Sequence, residues 1–353
     1  MSSNDMETLF GTLRLEEIPN IDESPEAAQP IAVDGDVILD VSDDSRYLVS
    51  SQVLCGTSSV FRTMLGKDSK FAEAAALRRA RLADSNEPIV VRLEDDDPWA
   101  MGVVMRVLHS RHYSIPSTVN LTQLGALAVV CDKYAFHEGL HTASSLWVQS
   151  LRSDELINQH PEHWLLISWV FGPEEIFTRV SRALVLSSAE TDGELTISGN
   201  IEPIFRESIP SAVTAQILNR RHQCLTLMKA HVSKLQDSYF TAEVIAPMCR
   251  RGVRNHARGV PCDTLQLGHF YRTFHIGQHR EWLAAHGTLQ QIADGLRTVG
   301  SIYYTDNGGN NHAGCSWVPG LIQDVQNTID SVAGLSFSEF PSRTWGPISH
   351  ATL

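Results

Sequence analysis

The chain has no apolar run approaching the roughly 18–20 residues that a membrane-spanning helix requires. Its opening stretch, residues 1–19, also lacks a basic segment followed by an apolar core, so no secretory leader is expected. Cysteine is sparse. The six cysteines stand at 55, 131, 224, 249, 262 and 315 of 353 residues without paired spacings, which fits free buried thiols in a reducing compartment better than a disulfide framework. Basic side chains are outnumbered, 28 Lys and Arg against 41 Asp and Glu, for a formal net charge of −13. A surface that coats nucleic acid or anionic lipid as a whole is thereby excluded. The motifs of common catalytic chemistries are missing too: there is no G-x-S-x-G elbow, no Walker A loop and no G-x-G-x-x-G turn. The Gly308-Gly309 loop lacks the Lys-Ser/Thr that would make it a phosphate cradle. These absences leave an intracellular, non-enzymatic protein as the expectation, with no cofactor.

What is present suffices for a packed core, because 42% of the residues are hydrophobic. The length allows two domains. Charge is unevenly placed: residues 1–99 hold 9 basic and 20 acidic side chains, whereas residues 220–297 hold 11 basic and 5 acidic ones. This change of sign suggests two units with different surfaces. Residues 1–33 carry Pro19, Pro25 and Pro30, several acids and few large apolar side chains, and read as an acidic disordered tail.

From Asp36 to Val41 a β-branched run reads as a strand, and Tyr47-Leu48-Val49 after a turn completes a hairpin. Ser50-Ser51 and Ser58-Ser59 can then cap two short helices, the second with Val60, Phe61, Met64 and Leu65 on one face. Residues 72–88 contain helix formers without a wide apolar face and read as a helix-prone loop. Ile89 to Leu93 is a strand by composition, and the acids before Pro98 suit the start of a helix carrying Trp99 to Leu108. Helical stripes follow at Leu121–Cys131 and Leu140–Leu151. Strands first and helices later make this an α+β unit. From about residue 153 strand signals cease, and helices are expected at Trp164–Phe171, Pro173–Leu186, a longer element from Ile209, 264–285, 288–300 and 318–332. In the long element Ile209, Val213, Ile217, Cys224, Met228, Val232 and Leu235 recur on one face.

Ordered pieces of residues 34–150 resemble the BTB/POZ domain, an interaction fold of a short sheet capped by helical hairpins. Gly35-Asp36-Val37-Ile38-Leu39-Asp40-Val41, Tyr47-Leu48-Val49-Ser50-Ser51-Gln52-Val53-Leu54 and Ser58-Ser59-Val60-Phe61-Arg62-Thr63-Met64-Leu65 are similar to its opening strands and helices. Phe71-Ala72-Glu73, Leu93 to Pro98, Met105 to His109 and Leu127 to Tyr134 continue the likeness, the acidic and His-containing pieces as in fungal members. Residues 151–353 resemble the helical extension of such proteins, through Trp169-Val170-Phe171-Gly172, Phe177, Arg220-Arg221 and Cys262 to Gly268.

The resemblance implies an α+β BTB/POZ fold followed by a mainly α-helical C-terminal region. It implies pairing with itself or with another BTB chain, with Asp36, Phe61 and Met64 near the contact. As an alternative it implies a substrate adaptor of a cullin-type ubiquitin ligase, with Phe71 and Glu73 near the scaffold; Phe71 as core and Glu73 as a surface acid is the plainer expectation. Ser50-Ser51 replaces the His-Arg of animal transcription-factor members, so Asp36 is expected to lack a basic partner.

Two further chemistries can be weighed. Cys249, His256, Cys262 and His269 have the residue types of a zinc site, with His275, His279, His312 and Cys315 further on. The first pair is separated by six residues where a zinc knuckle needs two to four, so no metal is expected. His275 and His279 have the spacing of a metalloprotease helix, but Ile276 stands where the general-base Glu belongs. The basic stretch Arg250 to Arg258 could meet phosphates, yet without interleaved aromatics it reads as a solvated loop and not a nucleic-acid site.

Overall fold

A computed structural model describes residues 28–42, 44–83, 87–191, 193–196, 207–241, 248–249, 256–276, 287–343 and 345. The chain forms two compact units, residues 1–111 and 112–353.

In the first unit the period-two pattern of Val37–Ser42 (β2) buries Val37, Leu39 and Val41 on one face. The strand pairs antiparallel with Ser45–Val49 (β3) and parallel with Ile89–Arg92 (β4). A parallel neighbour needs a crossover, and three helices supply it: Ser51–Thr57 (α1), Ser59–Leu65 (α2) and Ala72–Leu82 (α3). Ser50 and Ser58 cap the first two through their hydroxyls, as expected from the sequence. Pro98–Leu108 (α4) begins at the proline, with the Asp97 carboxylate accepting from the Ala100 N–H. Leu54, Phe61, Leu77, Met101 and Met105 close the core.

Two expectations need correction here. Residues 72–82 are a helix and not a loop, because Ala74 and Leu77 bury a face that is narrow but sufficient. The expected tail of residues 1–33 ends in structure: Gln29–Pro30 (β1) pairs in parallel with β3 at Tyr47 and Leu48, and Ile31 is buried, while residues 1–27 lie outside the described residues. The sheet order is β1-β3-β2-β4.

The second unit starts at residue 112, earlier than the boundary at 150 expected from the sequence. Its centre explains the shift. Pro161–Phe171 (helix α8) is buried on all sides from Trp164 to Val170, and Leu121–Tyr134 (α5) and His137–Leu151 (α6) pack against it. Asp154–Gln159 (α7) and Glu174–Ser187 (α9) flank it, and a hairpin not expected from the sequence, Ala189–Thr191 with Glu194–Thr196 (β5 and β6), follows. Ser211–Thr241 (α10) is the long helix, burying Val213, Ile217, Cys224, Met228 and Val232 as its stripe requires. Within that stripe lies Arg221, fully buried, donating to the Gly287 carbonyl. His256–Tyr271 (α11), Leu289–Arg297 (α12) and Val318–Asp330 (α13) are the remaining α-helices among the described residues.

Residues 332–343 run as a strap over α9 and α10. Arg182 donates to Val332, Arg220 to Ala333 and Gly334, and Arg343 to Trp169. Phe337 stacks on Phe177 at 4.7 Å between ring centroids, and Phe340 meets Trp169 edge-on at 5.2 Å. The Trp169, Phe177 and Arg220 singled out in the sequence thus share one task, holding this strap.

Candidate functional site

In the first unit, Asp36 opens β2 and faces the start of α1. Its carboxylate accepts from the Ser51 N–H at 2.7 Å, the Ser51 hydroxyl at 2.7 Å and the Arg81 guanidinium at 2.9 Å. Asp36 therefore has a basic partner after all. It comes from the end of α3, where no pattern around Ser50-Ser51 would reveal it. Burial pushes the carboxyl up, but the Ser51 N–H, Arg81 and the Ser51 hydroxyl together outweigh burial and hold it below its usual range.

Phe61 is fully buried and so belongs to the core, which removes it from any contact surface. Met64 and Glu73 are half-buried. Phe71 reverses the plainer expectation: it is 54% exposed at the N-cap of α3, its N–H held by the Ser69 hydroxyl at 3.2 Å.

In the second unit, four ligand-type side chains converge: Cys249, Cys262, His312 and Cys315. Their Sγ and nitrogen atoms all lie within 4.8 Å of one another, and the first three residues are buried. The Cys249 Sγ is 3.1 Å from His312 Nδ1 and 3.6 Å from the Cys315 Sγ. Each position has a local cause. Cys262 follows Pro261 in α11, and the next residue, Asp263, accepts from the Met248 N–H at 2.7 Å, which fixes the backbone beside Cys249. His312 and Cys315 bracket a 3-10 turn, Ala313–Cys315, closed by the Cys315 N–H donating to the His312 carbonyl at 2.9 Å. The His312 N–H in turn donates to the Tyr304 carbonyl at 2.8 Å. Burial, followed by the neighbouring Cys315 and Cys249, pushes the Cys262 thiol up.

Of the four residues weighed from the sequence, Cys249 and Cys262 are in the cluster. His269 packs on Trp317 at 5.2 Å between ring centroids, and His256 lies in α11 with its side chain outside the described residues. His275 stacks on Tyr271 at 4.7 Å, while His279 and residues 250–255 of the basic stretch lie outside the described residues. His312 and Cys315 were named from the sequence, but the signal left unused was their spacing, with two residues between them as one zinc knuckle needs. A second group, His160, Glu162 and His163, is local to the start of α8. There burial raises the Glu162 carboxyl, but the His163 hydrogen bond leads the contacts that lower it overall.

No family model matches the chain, and no curated protein matches it. Among the described residues no helix is long and apolar enough to cross a membrane.

Proposed function

We propose that this chain is a non-enzymatic protein-interaction protein, in which the BTB-like stretch of residues 34–150 pairs with a second copy or another BTB chain through its first part, the sheet and helices of the first unit, while α5 and α6 pack in the second. The observation that carries this reading is the outer strand β4. Among the described strands it hydrogen-bonds only to β2, and Val90 at its centre is 46% exposed. An open edge with apolar side chains is stabilised by pairing. No disulfide joins any of the six cysteines, in keeping with an intracellular setting. Light scattering of the full chain at micromolar concentration should give a dimer, and Val90→Lys should shift it toward monomer. A monomeric parent protein overturns the reading.

A second reading, a substrate adaptor of a cullin-type ligase, draws support from Phe71. An aromatic ring more than half exposed at the start of α3 is the kind of side chain that anchors a partner. A pulldown with the cullin scaffold should succeed with the parent chain and fail with Phe71→Ala. Failure of the parent chain ends this reading.

A further inference from the structure

We propose that Cys249, Cys262, His312 and Cys315 form a structural zinc site. The donor set is three thiolates and one imidazole, the chemistry that selects Zn2+ over hard cations such as Mg2+ or Ca2+. A tetrahedral zinc with Zn–S near ~2.3 Å and Zn–N near ~2.0 Å places its ligand atoms about 3.5–3.8 Å apart. The observed 3.1 and 3.6 Å contacts, and the 4.8 Å limit on the whole set, bracket that size. The same distances disfavour a disulfide, whose sulfurs sit about 2.05 Å apart.

The arrangement also matches the economy of known structural sites. One pair, His312 and Cys315, comes from a single turn closed by its own backbone hydrogen bond. The other two ligands come from separate segments, and Asp263 ties the backbone next to one of them to the helix carrying the other. Four protein ligands leave no open coordination position, so the role is to cross-link and not to catalyse. The site joins three segments distant in sequence: the residues after α10, the first half of α11, and the loop before α13. Folding and metal binding are then one event for this end of the second unit. The site is independent of the pairing proposed for the first unit.

The test is elemental analysis of full-length protein expressed with zinc and purified without chelator. About one zinc per chain is expected, released to a chromophoric chelator only after the thiols are modified. Cys262→Ser and His312→Ala should each lose most of the metal, His312→Cys should retain it, and Cys55→Ser should be unaffected. Should the loss variants fail to fold, Co2+ loaded into the parent chain should give the intense absorption of tetrahedral thiolate coordination. Stable, zinc-free protein with reduced thiols overturns the proposal. A Cys249–Cys315 disulfide in the mass spectrum, zinc that survives in both loss variants, or cobalt with only the pale spectrum of octahedral oxygen ligands does so equally.

Discussion

His109 shows how one residue joins two elements. Its Nε2 accepts from the Ser50 N–H at 3.0 Å while its Nδ1 faces the Met105 carbonyl at 2.9 Å, so the neutral ring with the proton on Nδ1 serves both. Burial pushes its pKa down from 6.5. A base whose folded pKa is depressed contributes stability that is full above the unfolded value and is lost as pH falls below it. Thermal unfolding should therefore show a stability loss beginning below about pH 6.5, and His109→Asn should flatten it. Asp36 acts in a lower window. Its carboxyl is held below 3.8, so its contribution is present above that value and is lost as pH falls further. Asp36→Ala should cost about 1–3 kcal/mol, because the buried Ser51 N–H loses its acceptor, whereas Arg81→Ala, half-exposed, should cost under about 1 kcal/mol. Denaturant titration of the two variants checks the order. His109 stood out in the sequence only as the end of the stretch from Met105. Arg81 did not, since its partner lies 45 residues away and only the fold of α3 brings them together.

At the scale of elements, the strap of residues 332–343 governs how the helices of the second unit close. A Cβ on Gly334 would lie 1.7 Å from the Thr178 carbonyl oxygen of α9, so any side chain there must push the strap off the helix. Gly334→Ala is expected to destabilise by about 1–3 kcal/mol or more, read from the denaturant midpoint. Arg220 donates to the Ala333 and Gly334 carbonyls and makes paired 2.8 Å contacts with Glu339. Arg220→Met keeps the stem packing but loses these bonds and should cost about 1.5–3 kcal/mol. The helices themselves were largely legible, because periodic apolar positions and Ser, Asn, Thr or Pro at helix starts are local signals. The hairpin of β5 and β6 was not, its strands being three residues each. Nor was α3, whose buried face consists of Ala74 and Leu77 alone.

For the whole molecule, two units with separate cores should melt in more than one step, which calorimetry of the full chain can resolve. Should only one transition appear, the units are energetically coupled. The sequence by itself determined that the chain folds, that a small sheet precedes a helical region, and where most helices begin. These follow from burial periodicity and capping, which act over a few residues. Tertiary structure alone decided that α5 and α6 join the second unit, that Phe61 is core while Phe71 is exposed, and that Arg81 meets Asp36. It also decided that His312 and Cys315 stand beside Cys249 and Cys262, while His269 packs on Trp317 instead. Local spacing records the His312–Cys315 pair, but which other ligands meet it is set by how the helices pack.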